Sequence, residues 1–250
     1  MKIIVFDCET TGLIDADLIE FSCIYGDIDG NTIESKTFRM RPDKPILANS
    51  IVVHGITPEV ASQYESPEII TRRIYEFLKG FSNPVLFVGH NIGYDCKIVD
   101  VQFQRHINIS FNPALQLDTL RFAKHLINMD EIGGYNLDAV FYYLFPSKLS
   151  WLLKNRSSHD ALTDCQITHQ ILIELKSRFD KLEGKKHSWG EVISHTNSPM
   201  DLSEQPWKFG KHKGILMKDT PHGYIRWCLT SDFAHDPQNV DIIYTLKKYY

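Results

Sequence analysis

Asp7 and Glu9 stand one residue apart at the end of an apolar run, Ile3-Ile4-Val5-Phe6. Side chains alternate along a strand, so both carboxylates reach the same face. Two acids so placed repel each other. A shared proton, a basic partner or a hard cation relieves that repulsion, unless the pair simply sits at a turn or in solvent. Two further acids come from distant segments: Asp95, after His90-Asn91-Ile92-Gly93-Tyr94, and Asp164, which follows His159 within a short span. Four carboxylates from three places form an oxygen-only set. Such a set excludes a structural zinc site and suits Mg²⁺ or Mn²⁺. Two such ions about 3.5–4 Å apart can clamp a phosphodiester, orienting a water on one side and stabilising the departing oxygen on the other. His159, with an ordinary pKa of about 6.5, can take the water's proton near neutral pH.

These side chains need elements to hold them. Residues 2–8 read as a buried strand. Residues 18–28 and 32–40 read as two more, joined around Asp29-Gly30, a common hairpin signal. An antiparallel meander therefore opens the chain, and Arg41-Pro42-Asp43-Lys44-Pro45 ends it. Thr57-Pro58 and Ser66-Pro67 read as helix starts, the second leading into a core stripe of Ile70, Ile74, Phe77 and Leu78. Residues 84–89 form an apolar strand, and a helix carrying Ile98, Val99, Gln102 and Phe103 follows. Asp95 falls at or just inside that helix start, where a carboxylate is also favourable with the helix dipole alone. Residues 115–120 read as a short strand entering a helix, and Asn136 as the cap of a helix through Leu144. The stretch from Ser157 leads into a long helix with Leu162, Ile167, Ile171 and Leu175 on one stripe. His159 lies at its loose entry and Asp164 more than one turn inside.

The chain has 250 residues, 43% of them hydrophobic, enough for one domain with an appended module. The expected division is a domain over 1–180, a connector over 181–206 with one short helix through Trp189 to Ile193, and a small unit over 207–250 with two helices. A formal net charge of −4 spreads no blanket of positive charge. A protein that meets nucleic acid through metals and a local groove needs none. The five cysteines are scattered without CxxC spacing, which fits free thiols in a reducing cytosol and a cytoplasmic protein. Met1-Lys2 leads straight into a strand, and no apolar run is long enough to span a bilayer, so neither a signal peptide nor a membrane is expected.

The segments FDCETTGL, VHGITPE, GHNIGYDCKI, LDTLRFA and HDALTDC, in that order and with these gaps, resemble the DEDDh group of 3′-5′ exonucleases. The resemblance covers roughly residues 1–178. It implies an α/β, ribonuclease-H-like fold, with a mixed five-stranded sheet flanked by helices. It makes Asp7, Glu9, Asp95 and Asp164 the acidic set that holds two Mg²⁺ or Mn²⁺ ions, and His159 the base. It places His54 and Asn91 near the substrate and brings Thr10, Thr11, Gly12 and Leu13 up to the terminal nucleotide. The implied activity is release of nucleoside 5′-monophosphates from DNA 3′ ends, single-stranded or duplex, with no obligatory protein partner. An RNA-degrading enzyme of the same fold and a non-catalytic end-binding module are the alternatives.

The tail, with FGKHKG, GYIRW and YTLKKYY, resembles the C-terminal module of the exodeoxyribonuclease X branch of that group. Cys8 fills a slot where such enzymes often carry Thr, and strand alternation turns it away from the metals. Trp207, Phe209, Tyr224 and Trp227 either build the core of the small unit or stack on bases. Seven basic and six acidic residues nearly cancel over 201–250, but Lys208 to Lys218 is locally basic, so Lys211 and Lys213 are candidate nucleic-acid contacts.

Overall fold

The computed structural model of the chain describes residues 1–28, 31–81, 84–155 and 160–250. The hairpin turn expected at Asp29-Gly30 lies outside the described residues, and so does His159. Five strands form one mixed sheet: β1 (Lys2–Thr10), β2 (Leu18–Asp27), β3 (Thr32–Arg39), β4 (Val85–Gly89) and β5 (Gln116–Asp118), in the order β3-β2-β1-β4-β5. The meander β1-β2-β3 is antiparallel, whereas β4 runs parallel to β1 and β5 parallel to β4. β1 is therefore central and buried on both faces. Its near-continuous apolar run reflects that position.

Helices α1 (Ala48–His54), α2 (Pro58–Ala61) and α3 (Pro67–Lys79) link the meander to β4. Then come α4 (Ile92–Ile107), α5 (Thr119–Leu126), α6 (Met129–Ile132), α7 (Leu137–Leu144), α8 (Leu149–Asn155), α9 (Ala161–Leu182) and α10 (Trp189–Asn197). The alternation of β1 divides the core. Ile3 and Val5 pack with Phe122 of α5, Phe141 of α7 and Ile167, Ile171 and Leu175 of α9. Ile4, Phe6 and Cys8 point the other way, to Ile70 and Ile74 of α3 and Ile98, Val99 and Phe103 of α4. The flanked sheet is the architecture the motifs imply. Asn136 caps α7 as expected, its Oδ1 accepting from the Ala139 amide at 2.9 Å. Asp160 caps α9 through the Thr163 amide at 3.0 Å.

The chain separates into two compact units, Met1–Thr196 and Asn197–Tyr250. The boundary falls inside the stretch read as a connector. Its first half carries α10, whose Val192 is buried in the α9-side core with Trp189 and Ile193 against it. The second unit has α11 (His222–Thr230) and α12 (Val240–Leu246) around Trp207, Met217, Ile225, Cys228, Ile242, Ile243 and Leu246. Asp241 and Thr245 of α12 accept from the amides of Met200 and Leu202 at 2.9 and 2.8 Å, so the residues just after the boundary belong to this unit. All five cysteines are free thiols. Among the described residues, no helix is long and apolar enough to cross a membrane.

Candidate active site

Asp7, Glu9 and Asp164 meet at the C-terminal end of β1. Each offers a carboxylate oxygen, and these oxygens all lie within 4.8 Å of one another. Two come from strand alternation. The third comes from the first turn of α9, a helix fixed across β1 and β2 by its apolar stripe and by the Cys165 thiol, which donates to the Ser22 carbonyl at 3.3 Å. Three hard oxygen donors, with no nitrogen or sulfur among them, fit a divalent cation such as Mg²⁺ or Mn²⁺.

Asp95 is outside that trio. It sits in the first turn of α4, buried on the face that Cys8 shares. Burial pushes its carboxyl up to about 7, against the pull of the Cys8 thiol and of the Cys8 and Asp95 backbone amides. Cys8 does turn away from Asp7 and Glu9, as alternation requires, yet it is not idle: its thiol hydrogen-bonds the Asp95 carboxylate. Burial, Asp95 and Asp7 together push that thiol well above its ordinary value.

The sheet register places another acid where the chain sequence gives no hint. Asp7 pairs with Ser22, and Glu9 with Glu20, so Glu20 faces Glu9 across the strands. Arg39 from β3 holds Glu20, its Nε 2.6 Å from Oε2. Ser22 Oγ lies 2.8 Å from Thr37 Oγ1 on the same face.

The turn after β1 is tightly held. Thr10 Oγ1 donates to the Gly12 carbonyl at 2.7 Å, and the Tyr94 hydroxyl donates to the same oxygen at 2.8 Å. Thr11 exchanges bonds with Asp17, its amide donating to the Asp17 carbonyl and its Oγ1 accepting from the Asp17 amide, both at 2.9 Å. A Cβ on Gly12 would come within 2.9 Å of Leu47 Cδ1, so glycine lets the chain pass the start of α1. Leu13 and Ile14 then project into solvent, 76% and 91% exposed.

His54 closes α1, buried near the Thr10 backbone. Its Nδ1 accepts from the Ile56 amide at 3.0 Å, which puts the proton of the neutral ring on Nε2. That Nε2 is buried, with no hydrogen-bond partner of good geometry among the described residues; burial lowers the ring's pKa, against the pull of the Thr10 backbone. Asn91 precedes α4 with φ of 73°, a left-handed conformation that Asn tolerates better than most residues. Its amide donates to Asp118 Oδ1 at 2.9 Å. Neighbouring His90 is fixed between Thr119 Oγ1 and the Tyr135 carbonyl, at 3.0 and 2.8 Å.

A family model described as exonuclease, RNase_T, matches residues 4–172. The chain belongs to this exonuclease family. The exonuclease is 22% identical to exodeoxyribonuclease 10 of Escherichia coli K12 over 253 residues, 98% of this chain and 97% of that protein. It is 28% identical over 196 residues to a PolC-type DNA polymerase III of Thermotoga petrophila, covering 77% of this chain and 13% of the polymerase. A DNA polymerase III epsilon-like protein of Rhodobacter capsulatus is 26% identical over 181 residues, 70% of this chain and 24% of that protein. The chain is thus a small part of those two relatives' length. Among solved structures, exonuclease X in complex with 5′ overhanging duplex DNA aligns with a TM-score of 0.52 at 22% identity, covering 78% of this chain and 99% of that one. Escherichia coli exonuclease I with a dA16 oligonucleotide aligns at 0.59 and 19% identity, over 78% of this chain and 42% of that one. These likenesses carry the fold, a ribonuclease-H-like exonuclease sheet.

In the exonuclease, then, the structure brings together Asp7, Glu9 and Asp164, sets Asp95 next to Cys8, and ranges Thr10, Thr11, Gly12, Leu13, His54 and Asn91 along neighbouring loops and helix ends. Lys211 and Lys213 lie in the second unit. Glu20, Arg39, Asp17 and Tyr94 escaped the sequence reading. Their partners come from other strands and helices, so only the register and the packing expose them.

Proposed function

We propose that this chain hydrolyses phosphodiester bonds at DNA 3′ ends, releasing nucleoside 5′-monophosphates one at a time. The meeting of Asp7, Glu9 and Asp164 oxygens within 4.8 Å carries the reading. Two divalent cations, Mg²⁺ or Mn²⁺, bound there and reached by Asp95, would polarise the phosphate and make a water nucleophilic at neutral pH. Asp7, on the central strand, would serve as a ligand to the cations. Water oxygen bonds to phosphorus, the bond from phosphorus to the 3′ oxygen breaks, and that oxygen takes a proton from solvent to become the new 3′ hydroxyl of the shortened strand. His159 directly precedes the Asp160 cap of α9 in the sequence. It takes the water's proton on a ring nitrogen.

The loop Thr10 to Leu13 receives the terminal nucleotide, with Tyr94 keeping the Gly12 carbonyl in place. The exposed side chain of Asn91 is available to substrate oxygens, while His54, its Nε2 buried, backs the end of β1 at Thr10. A carboxylate site accepts a polyanion because the cations reverse its charge. DNA is favoured over RNA because exodeoxyribonuclease 10 is similar along nearly all of both chains and because the structural neighbours hold DNA. Five free thiols fit a reducing cytosol.

The test uses one oligonucleotide labelled at either end, with Mg²⁺, Mn²⁺ or chelator, beside an RNA of the same sequence. The 3′ label is expected to appear at once as a mononucleotide, with chelator stopping the reaction. Early release of the 5′ label, or undiminished cleavage in chelator, contradicts the proposal. Faster loss of the RNA moves the substrate to RNA on the same site.

A further inference from the structure

The second unit exposes an aromatic face beside cations that form no ion pair among the described residues. Its centre is Trp207, 1% exposed, with Nε1 donating to Thr220 Oγ1 at 2.8 Å. That ring is core. The rings around it are not all buried. Phe209 packs edge-on against Trp207 at 5.8 Å and is 47% exposed. Trp227 stacks on Tyr224 at 5.3 Å with planes 22° apart and is 50% exposed. Phe233 bridges the two, 6.4 Å from Phe209 and 6.0 Å from Trp227. Five rings therefore run from the 207–215 loop to α11, and Phe209 and Trp227 open to solvent.

That loop is closed and rigid. Trp207 donates its amide to the Ile215 carbonyl at 2.9 Å, and Gly214 donates to the Trp207 carbonyl at 2.8 Å. Gly210 and Gly214 take φ of 75° and 91°, conformations that turn a short loop at little cost for glycine. A Cβ on Gly210 would lie 3.4 Å from the Tyr224 hydroxyl, so the loop tip is held against the aromatic row. The same loop carries Lys208, Lys211 and Lys213, all exposed, and exposed Arg226 adjoins Trp227. Among the described residues none of these four makes an ion pair, whereas Lys218 pairs with Glu204 and Lys248 with Asp201. Gly223, one turn before Trp227 on the same helix face, has nothing within 4 Å of its Cβ position, which leaves a flat approach to the indole.

We propose that this face binds single-stranded DNA, with unpaired bases stacking on Phe209 and Trp227 and phosphates meeting Lys208, Lys211, Lys213 and Arg226. Rings that offer a face to solvent suit bases of any sequence, and unpaired cations beside them suit a backbone that repeats its charge. An apolar protein partner would use the rings and leave the cations unused. The choice of DNA as the strand rests on the function proposed above. Nearby acids, Asp219, Asp232 and Asp236, keep the field weak, so stacking supplies most of the affinity.

The experiment uses the full chain in chelator, where no cleavage occurs, and reads the anisotropy of a labelled dT15. Phe209→Leu and Trp227→Leu keep an apolar cover over Trp207 and remove the aromatic face; unchanged melting temperatures verify the core. Each is expected to weaken dT15 binding about 5- to 100-fold. Lys211→Glu with Lys213→Glu is expected to weaken it and to flatten the dependence of log K on log salt by about 1.4, at about 0.7 per phosphate lost. A blunt duplex is expected to bind weakly and to be indifferent to the leucine variants. Wild-type dT15 affinity in both leucine variants, or an equal loss on blunt duplex, overturns the proposal. Because the binding readout needs no turnover, an inactive wild type would sink the proposed function and leave this inference standing.

Discussion

Glu9 and Glu20 stand directly opposite one another in the antiparallel β1–β2 pair. Like charges so placed repel, yet Glu20 is almost fully buried. Arg39 resolves the conflict from β3, with its Nε 2.6 Å from Glu20 Oε2. One acid of the facing pair is thereby neutralised by protein, while Glu9 is left to the cluster with Asp7 and Asp164. The three-strand ladder Glu9-Glu20-Arg39 keeps the acidic site from destabilising the sheet beneath it.

Arg39→Gln is therefore expected to destabilise the protein. Removing one partner of a buried pair costs about 3–5 kcal/mol, and since the Arg39 side chain is half exposed, about 1–3 kcal/mol is expected after screening. Urea denaturation checks it. Arg39→Gln combined with Glu20→Gln should recover most of the loss, because no buried charge is then left alone. A double variant as unstable as the single one contradicts the role given to the pair.

A ligand that binds only the folded state raises its stability, by about 2.7 kcal/mol when present at a hundredfold excess over its Kd. Mg²⁺ or Mn²⁺ is therefore expected to raise the melting temperature of the wild type and to leave Asp7→Asn and Asp164→Asn unmoved. Both variants are expected to lose cleavage by at least about a thousandfold. An equal cation-induced rise in all three proteins would remove these carboxylates from the metal site.

Asp95 makes the metal-free protein sensitive to pH. Its carboxyl is raised by burial to about 7, above the ordinary aspartate value of about 3.9. The folded state thus holds the proton more tightly than the unfolded state. This stabilising contribution is complete below about pH 4 and is lost as the pH rises through about 7. In chelator, the melting temperature is expected to fall between about pH 5 and pH 8 by an amount that Asp95→Asn abolishes. A profile of the same slope in Asp95→Asn contradicts the assignment.

Leu13 projects into solvent from a turn whose carbonyl Tyr94 and Thr10 both hold. An apolar side chain on a rigid turn beside the site is placed to separate a terminal base pair. Leu13→Ala is expected to slow cleavage of blunt duplex about tenfold, while single-stranded cleavage changes by less than about twofold. That difference reflects the few kcal/mol needed to unstack a pair. Equal losses on the two substrates would rule out a wedge.

How much of this could be read in the sequence depends on how local each cause is. Asp7 and Glu9 share a face because a strand alternates, and Ile167, Ile171 and Leu175 mark a helix because they recur at its period. Both rules act within a few residues. Joining Asp164 to Asp7 needed the resemblance of the whole motif order, since no local rule brings α9 to β1. The Glu20–Arg39 pair depends on the registers of two strand pairs, and neither register leaves a mark on either residue. Asp95 is similar: its place at a helix start was legible, but its hydrogen bond to Cys8 follows from how α4 packs on β1. The composition of 181–206 suggested a linker, and α10 within it is held by a few apolar residues, Trp189, Val192 and Ile193, among many polar ones. In the tail, the aromatic residues divided: Trp207 became core, while Phe209 and Trp227 stayed at the surface.

The measurement closest to the centre of this account is a titration of the metal-free protein with Mn²⁺, followed by the spin-resonance signal of the free ion. Wild type is expected to silence two ions per chain, and Asp7→Asn, which removes a ligand to the cations, to silence neither at the same concentrations. Undiminished uptake of two ions by Asp7→Asn, or no uptake by the wild type, would contradict it.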